Sequence, residues 1–94
     1  MKLLGKQLLH DFKEAHADAR TRLESWESEV EDAEWKNPRD LKQRYPRASI
    51  IGNNVIFDLC WNRYRLWALI AYKTATILIK RIGTHKEYDK WNIS

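Results

Sequence analysis

The fold is decided by residues 48–82, which read ASIIGNNVIFDLCWNRYRLWALIAYKTATILIKRI. β-Branched and aromatic residues dominate this stretch, and such residues favour extended strands. Turn signals at residues 52–54, 61–62 and 73–75 divide it into four predicted strands. These short connections join antiparallel neighbours, because a parallel pair needs a longer crossover. The predicted strands are residues 48–51, 55–60, 64–72 and 76–82.

Two amphipathic helices are predicted before the strands. Apolar side chains recur at helical spacing in residues 6–16, and they recur four and three residues apart in residues 18–34, where Asp18 is the expected N-cap. Residues 2–4 are a candidate edge strand, and residues 38–45 are a candidate for one or two helical turns. The sequence therefore predicts an α+β fold in which two N-terminal helices pack on an antiparallel sheet of about four strands.

Length and composition narrow the class of protein. With 94 residues, of which 44% are hydrophobic and 32% charged, the chain has room for one core, and we expect one domain over residues 1–94. No run approaches the ~18 apolar residues of a membrane span, and the first residues lack the apolar region of a signal peptide. We therefore expect a cytoplasmic protein without a membrane anchor.

No metal and no cofactor are predicted. Cys60 is the lone cysteine, which excludes an intramolecular disulfide and a cysteine-rich metal site. His10 and His16 lie six residues apart, so one helix cannot present both on the same face as a metal pair. The sequence also lacks a glycine-rich phosphate loop of the kind that binds nucleotides.

Positive charge is concentrated in the C-terminal half of the chain. Residues 1–47 contain ten basic and ten acidic side chains, whereas residues 48–94 contain seven basic and three acidic ones, so the net charge of +4 arises entirely in the second half. A one-sided basic surface suits a polyanion, because neutralising phosphates releases condensed counterions. The distribution favours a nucleic-acid partner, although charge that serves only solubility would look similar.

Residues 83–90, GTHKEYDK, follow the last predicted strand and carry a dense group of reactive side chains. Gly83 allows a sharp exit from the strand. Cleaving RNA through its own 2′-hydroxyl needs a base, an acid for the leaving 5′-oxygen, and cations near phosphorus. His85 can fill either proton-transfer role, and Tyr88 can stack on a base or orient a proton donor. On spacing alone, a histidine after a strand is more often a surface or capping residue.

Basic side chains that can hold a phosphate lie in and before this segment. Arg63 and Arg65 flank Tyr64, so the two-residue period of a strand predicts that both point to one face of the sheet. Together they are candidates for a phosphate cradle, and equally for ion pairs with Asp58 or with the acidic second helix. The other candidate RNA contacts are Lys80, Arg81, Lys90 and, in the basic connector before the strands, Lys42.

The motif RIGTHKEYDK, residues 81–90, resembles the C-terminal signature of HigB-type toxins, a branch of the RelE-like toxins of type II toxin–antitoxin systems. Further blocks of that family match in the same order and cover nearly the whole chain. They are WKNP at residues 35–38 with LK at 41–42, GNNVIF at 52–57 and NRYRL at 62–66.

This resemblance implies a RelE-like toxin fold, ribosome-dependent cleavage of mRNA in the A site, and neutralisation by a cognate antitoxin. It also implies that His85, Tyr88 and Arg65 are catalytic, with Lys90 a further candidate. One position departs from the family, which often has Arg two residues before Ile82, where this chain has Lys80. Lysine supplies charge there but not the bidentate fork of arginine.

Two other functions fit the same sequence. The RelE-like fold also includes ParE-like members that poison DNA gyrase, and fold alone does not decide the activity. A small basic, non-enzymatic regulator could instead use His85 and Tyr88 to contact nucleobases without breaking a bond. Substituting His85 separates the enzyme from the binder, because a nuclease would keep binding and lose cleavage.

Overall fold

The strands predicted in the second half of the chain form the centre of a five-stranded sheet with the order β1-β5-β4-β3-β2. The computed structural model describes residues 1–61 and 63–93. In chain order, the strands are β1 (Lys2–Leu4), β2 (Ser49–Ile51), β3 (Asn54–Leu59), β4 (Tyr64–Ala71) and β5 (Thr76–Thr84). The helices are α1 (Lys6–Ala15), α2 (Arg20–Asp32), α3 (Pro38–Arg44) and α4 (His85–Tyr88), with a 3-10 turn (Ala17–Ala19) before α2.

The sheet is mixed, which corrects the prediction of about four antiparallel strands. The pairs β2–β3, β3–β4 and β4–β5 are antiparallel, but β1 lies parallel to β5 with Leu3 opposite Ile77. Three residues are too few to show a strand period, and the direction of β1 depends on a partner far along the chain. The α+β class is confirmed, because α1, α2 and α3 follow one another in sequence and precede the four antiparallel strands β2 to β5.

The turns between the strands use left-handed backbone. Gly52, with φ of 61°, turns β2 into β3, and Ala75, with φ of 52°, ends the turn before β5. Asn62, half of the turn signal predicted between β3 and β4, lies outside the described residues. Strand β5 runs through Thr84, two residues beyond the predicted end.

The helices begin and end close to the predicted residues, with one difference in capping. Asp18 is not the N-cap of α2, because the chain makes a 3-10 turn first and Ala19 occupies the cap without a side-chain hydrogen bond. In the next helix, the Asn37 side chain accepts a hydrogen bond from the Asp40 amide and caps α3. Across residues 1–61 and 63–93, every helix is too short or too polar to cross a membrane.

The core lies between helices α1 and α2 and one face of the sheet. Trp26 of α2 is fully buried, and its ring meets Phe57 of β3 edge to face at 5.3 Å. Phe12 of α1 packs edge to face on Tyr64 at 5.2 Å. Burying each large apolar side chain contributes about 1.5–3 kcal/mol, so these contacts hold the helices on the sheet.

The acidic side of α2 forms ion pairs with its neighbours. Glu27 lies 3.6 Å from the Lys6 ammonium and 3.8 Å from that of Lys13, which ties α2 to α1. Glu29 forms an ion pair with Arg44 and accepts a hydrogen bond from the Tyr45 hydroxyl, which ties α2 to the end of α3. Part of the negative charge in the N-terminal half of the chain is therefore neutralised by ion pairs between helices.

The face of the sheet opposite the core, here called the outer face, is apolar at one end and charged at the other. Along β4, Arg65 and Trp67 point away from the buried side chains and so lie on the outer face. At the apolar end, Leu4, Leu78 and Ile51 are 40%, 37% and 45% exposed. One row of paired residues crosses all the strands there and consists of Leu4, Leu78, Leu69, Asn54 and Ile51.

Candidate active site

The charged end of the outer face is built around Arg65 of β4. In the sheet register, Arg65 lies between Asp58 of β3 and Gly83 of β5. Its Nη1 donates a hydrogen bond to the Asp58 carboxylate at 2.6 Å, and both side chains are only 12% exposed. Arg47 approaches the same carboxylate from β2's side, at 3.4 Å. Because this ion pair is largely removed from water, it fixes the guanidinium more firmly than a surface pair would.

A short helix, α4, follows β5 directly and is held by a capping box. The Thr84 side chain accepts a hydrogen bond from the Glu87 amide at 3.2 Å, and the Glu87 carboxylate accepts one from the Thr84 amide at 3.0 Å. The hydrogen bonds from the Thr84 backbone and side chain hold the pKa of Glu87 below its ordinary value. The His85 amide also donates to the Arg63 carbonyl at 3.2 Å, so α4 starts at a fixed point beside β4.

Gly83 makes room for an aromatic ring. The sequence suggested that Gly83 lets the chain leave the strand sharply. Instead, Gly83 lies within β5. A Cβ atom at this position would lie 3.0 Å from Trp91 and 3.2 Å from the Glu87 Cβ, which is tighter than most Cβ contacts in proteins. The Trp91 ring lies 6.1 Å from the Trp67 ring and so covers part of the outer face. No sequence pattern predicted Trp91 as part of this site, although a glycine inside a strand does signal a close approach.

The three predicted catalytic side chains form a continuous series of contacts. The Arg65 guanidinium carbon lies 5.4 Å from the centre of the Tyr88 ring, within cation–π distance. The Tyr88 and His85 rings meet nearly edge to face at 6.2 Å. Trp91 packs on the other side of Tyr88, at 5.6 Å. The imidazole Nδ1 of His85 lies 3.8 Å from the Asp89 carboxylate.

This arrangement combines groups suited to phosphate chemistry. Arg65 supplies a fixed cation beside an aromatic ring, and an exposed imidazole lies next to that ring. A guanidinium binds phosphate oxygens, and an imidazole exchanges protons near neutral pH. The His85 and Asp89 side chains are both more than half exposed. Solvent therefore reaches His85, whereas Arg65 beside it is only 12% exposed.

A family model described as HigB_toxin, the RelE-like toxic component of a toxin–antitoxin system, matches residues 19–91. The chain belongs to the HigB toxin family. The mRNA interferase toxin HigB of Escherichia coli (strain K12) is 25% identical over 92 residues, which cover 95% of this chain and 88% of that relative. Proteins named mRNA interferase HigB from Escherichia coli O157:H7 and Shigella flexneri match with the same figures.

In this HigB-family chain, three of the predicted RNA contacts are exposed near the site. Trp67 pairs with Arg81 while Ala68 pairs with Ile79, so Lys80 is the extra residue of a β-bulge. Arg81 therefore lies beside Trp67, and Lys90 follows α4. Bulges commonly re-aim side chains next to functional sites.

Arg63 and Arg65 do not form the phosphate cradle that their spacing suggested. Arg63 precedes β4 and lies in the turn, so the two-residue period of a strand does not apply to it. Its Nη1 donates to Asp18 at 2.7 Å, and the Tyr64 hydroxyl donates to the same carboxylate at 2.8 Å. Arg65 binds Asp58 instead. Each arginine therefore forms an ion pair with a different carboxylate.

Lys42 lies apart from the predicted catalytic side chains, on α3. Its ammonium donates to the carbonyls of Pro46 at 2.9 Å and Ala48 at 2.8 Å, which stabilises the connection between α3 and β2. A role of Lys42 in RNA binding stays a prediction.

Two further kinds of site were considered from the sequence, a metal site and a reactive thiol at Cys60. Within the described parts of the chain, no group of three or more His, Cys, Asp and Glu side chains is placed to hold a metal ion. Burial raises the pKa of the Cys60 thiol, with a smaller contribution from the Asp18 carboxylate, so Cys60 is a poor nucleophile at neutral pH.

Proposed function

We propose that this HigB-family toxin is a ribosome-dependent mRNA endonuclease, acting on mRNA in the A site without a metal. The observation that carries the proposal is the series of contacts from Arg65 through Tyr88 to His85 at the charged end of the outer face. The similar proteins named mRNA interferases support it, since the match spans nearly the whole chain. We further propose one RelE-like domain over residues 1–94 and a cytoplasmic location, where mRNA is translated.

In the proposed reaction, the 2′-hydroxyl of the RNA attacks the adjacent phosphorus and the bond to the 5′-oxygen breaks. One proton leaves the 2′-hydroxyl and one is delivered to the 5′-oxygen, so the products are a 2′,3′-cyclic phosphate and a 5′-hydroxyl. His85 carries out one of these proton transfers, supported by Asp89 at 3.8 Å. Solvent, which reaches this open site, carries out the other.

Arg65 stabilises the negative charge that develops on the phosphate. Asp58 binds one of its terminal nitrogens, and the guanidinium retains further N–H donors for phosphate oxygens. Because Asp58 and the Tyr88 ring hold Arg65 before RNA arrives, little reorganisation is needed during the reaction. Tyr88 presents its ring to a base or orients the proton donor. The proposed further RNA contacts are Lys80, Arg81, Lys90, Arg63 and Lys42.

We propose that the cognate antitoxin covers the apolar end of the outer face. Leu4, Leu78 and Ile51 are exposed in one row there, and this row crosses β4 at Leu69, four residues from Arg65. A partner that binds this row can also cover the nearby active site and so prevent RNA from binding there. Leu78→Ser should therefore weaken neutralisation by the antitoxin while mRNA cleavage continues. Equal neutralisation of this variant and the parent would exclude this surface.

The test of the proposed activity is expression of the chain without antitoxin, with mapping of new mRNA 5′ ends. Ends confined to translated frames support ribosome-dependent cleavage, whereas ends equally common in untranslated RNA indicate a free ribonuclease. Growth arrest with intact mRNA would favour a gyrase poison. His85→Ala should abolish cleavage and His10→Ala, an exposed histidine on α1, should not. Cleavage in vitro should persist in the presence of a metal chelator.

A further inference from the structure

Trp61 is the most exposed large apolar side chain among the residues that the structure describes. It is 92% exposed, whereas the other exposed large apolar side chains reach at most 45%. It lies in the connection between β3 and β4, at the tip of that hairpin. A tryptophan that is so accessible contributes little to the stability of the core.

The backbone conformation that directs this side chain outward is energetically unfavourable. Cys60 and Trp61 both adopt left-handed backbone, with φ of 54° and 56°, and the Arg63 amide closes the turn onto the Cys60 carbonyl at 3.1 Å. Each such residue costs about 1 kcal/mol relative to a right-handed conformation, and glycine or asparagine fits such turns better. Neither burial nor backbone preference therefore explains a tryptophan here.

The surroundings of Trp61 are charged and close to the active site. Trp61 and Cys60 line a surface hollow of about 380 Å³ together with Asp18, Arg22 and Arg63. Arg63 also joins this hairpin to α4, because its carbonyl accepts the hydrogen bond from the His85 amide. The exposed ring and the catalytic histidine thus lie at the same end of the sheet.

We propose that Trp61 is a stacking contact for a nucleobase of RNA, with Arg63 and Arg22 at the adjacent phosphate. This inference rests on the proposed ribonuclease function. An aromatic face stacks on any base, and neighbouring arginines neutralise the backbone. An apolar protein partner fits less well, because the side chains around Trp61 in this hollow are mainly charged. The base belongs either to mRNA or to ribosomal RNA, since both offer the same chemistry.

The experiment measures binding in a His85→Ala background, so that RNA is not cut during the assay. Trp61→Ala, Trp61→Phe and Leu8→Ala are compared for binding to ribosomes without mRNA, to ribosomes with mRNA, and to short single-stranded RNA. Leu8 is a matched control, because it is an apolar side chain on α1 that is 43% exposed. Thermal unfolding checks that the variants are equally folded.

Trp61→Ala should weaken binding about 10-fold, Trp61→Phe should keep most of it, and Leu8→Ala should match the parent. A loss on ribosomes without mRNA assigns the base to ribosomal RNA. A loss only when mRNA is present, on ribosomes or free, assigns it to mRNA. Unchanged binding of Trp61→Ala in all three assays overturns the inference. The His85→Ala protein with Trp61 intact tests the function separately. If it binds none of the three targets, the proposed function fails as well.

Discussion

The guanidinium carbon of Arg65 lies 5.4 Å from the centre of the Tyr88 ring. The same guanidinium binds Asp58 on the neighbouring strand at 2.6 Å. Arg65 therefore joins two parts of the molecule that are distant in sequence, the sheet and the segment after it. A change at either contact should alter both the position of Tyr88 and the binding of phosphate.

Arg65→Lys keeps the positive charge but loses the planar fork that contacts both Asp58 and the Tyr88 ring. We expect kcat for mRNA cleavage to fall about 100-fold, as when one fixed donor to the transition state is removed. Arg39→Lys, an exposed arginine on α3, is the control and should cleave normally. Full activity of Arg65→Lys would show that charge alone is sufficient.

Asp58→Asn leaves Arg65 without its carboxylate in a site where both side chains are only 12% exposed. The free energy of unfolding should fall by about 1–3 kcal/mol, because a desolvated cation loses its counter-charge. Urea unfolding measures the change, and Asp32→Asn, on the exposed surface of α2, provides the comparison. A stability equal to that of the comparison variant would mean that Asp58 does not hold Arg65 in solution.

Gly83→Ala places a Cβ atom 3.0 Å from the Trp91 ring, so the segment after β5 must shift. We expect a loss of about 1–3 kcal/mol in unfolding free energy and a loss of cleavage activity. Trp91→Ala removes the tighter of the two contacts and leaves the one with Glu87, so the cost of Gly83→Ala should shrink in the double variant. Strictly additive costs would argue against this contact.

The capping box of α4 should make the stability of the protein depend on pH. The Glu87 pKa is held below the ordinary value of 4.5, so its contribution to folding is present above that value and is lost as pH falls through the lowered pKa. The difference in unfolding free energy between the parent and Glu87→Gln should therefore shrink on acidification. A constant difference from neutral to acidic pH would contradict the assignment.

Removing the other half of the same capping box tests it at neutral pH. Thr84→Ala should cost about 1 kcal/mol, because the Glu87 amide loses its hydrogen-bond acceptor. Thr84→Ser keeps the hydroxyl and should retain most of the stability, as measured by urea unfolding. Equal losses in the two variants would assign the effect to the threonine methyl group instead.

Local patterns predicted most of the fold. Strands β3 and β4 were found because β-branched and aromatic runs are bounded by turn residues close in sequence. The pairing of Leu3 with Ile77 was not predictable, since it joins opposite ends of the chain. The helix α4 was missed although Thr84 and Glu87 have capping-box spacing, because four residues show no helical period.

The site was only partly predictable. His85, Tyr88 and Arg65 were identified from the resemblance to HigB-type toxins, not from their spacing. The packing of Trp91 over Gly83 depends on the tertiary fold. The same is true of the two arginines, because Arg63 and Arg65 bind carboxylates on different elements. Contacts between residues that are distant in sequence leave little trace in local sequence patterns.

The parallel pairing of β1 with β5 bears on how a ribosome can make this protein. The first strand to be synthesised has no hydrogen-bonding partner until the last strand has been made, and the segment with His85 follows that last strand. A nascent chain therefore cannot finish this sheet before β5 has been made. The parallel pairing of β1 with β5 thus couples folding of the first strand to synthesis of the strand that leads into His85.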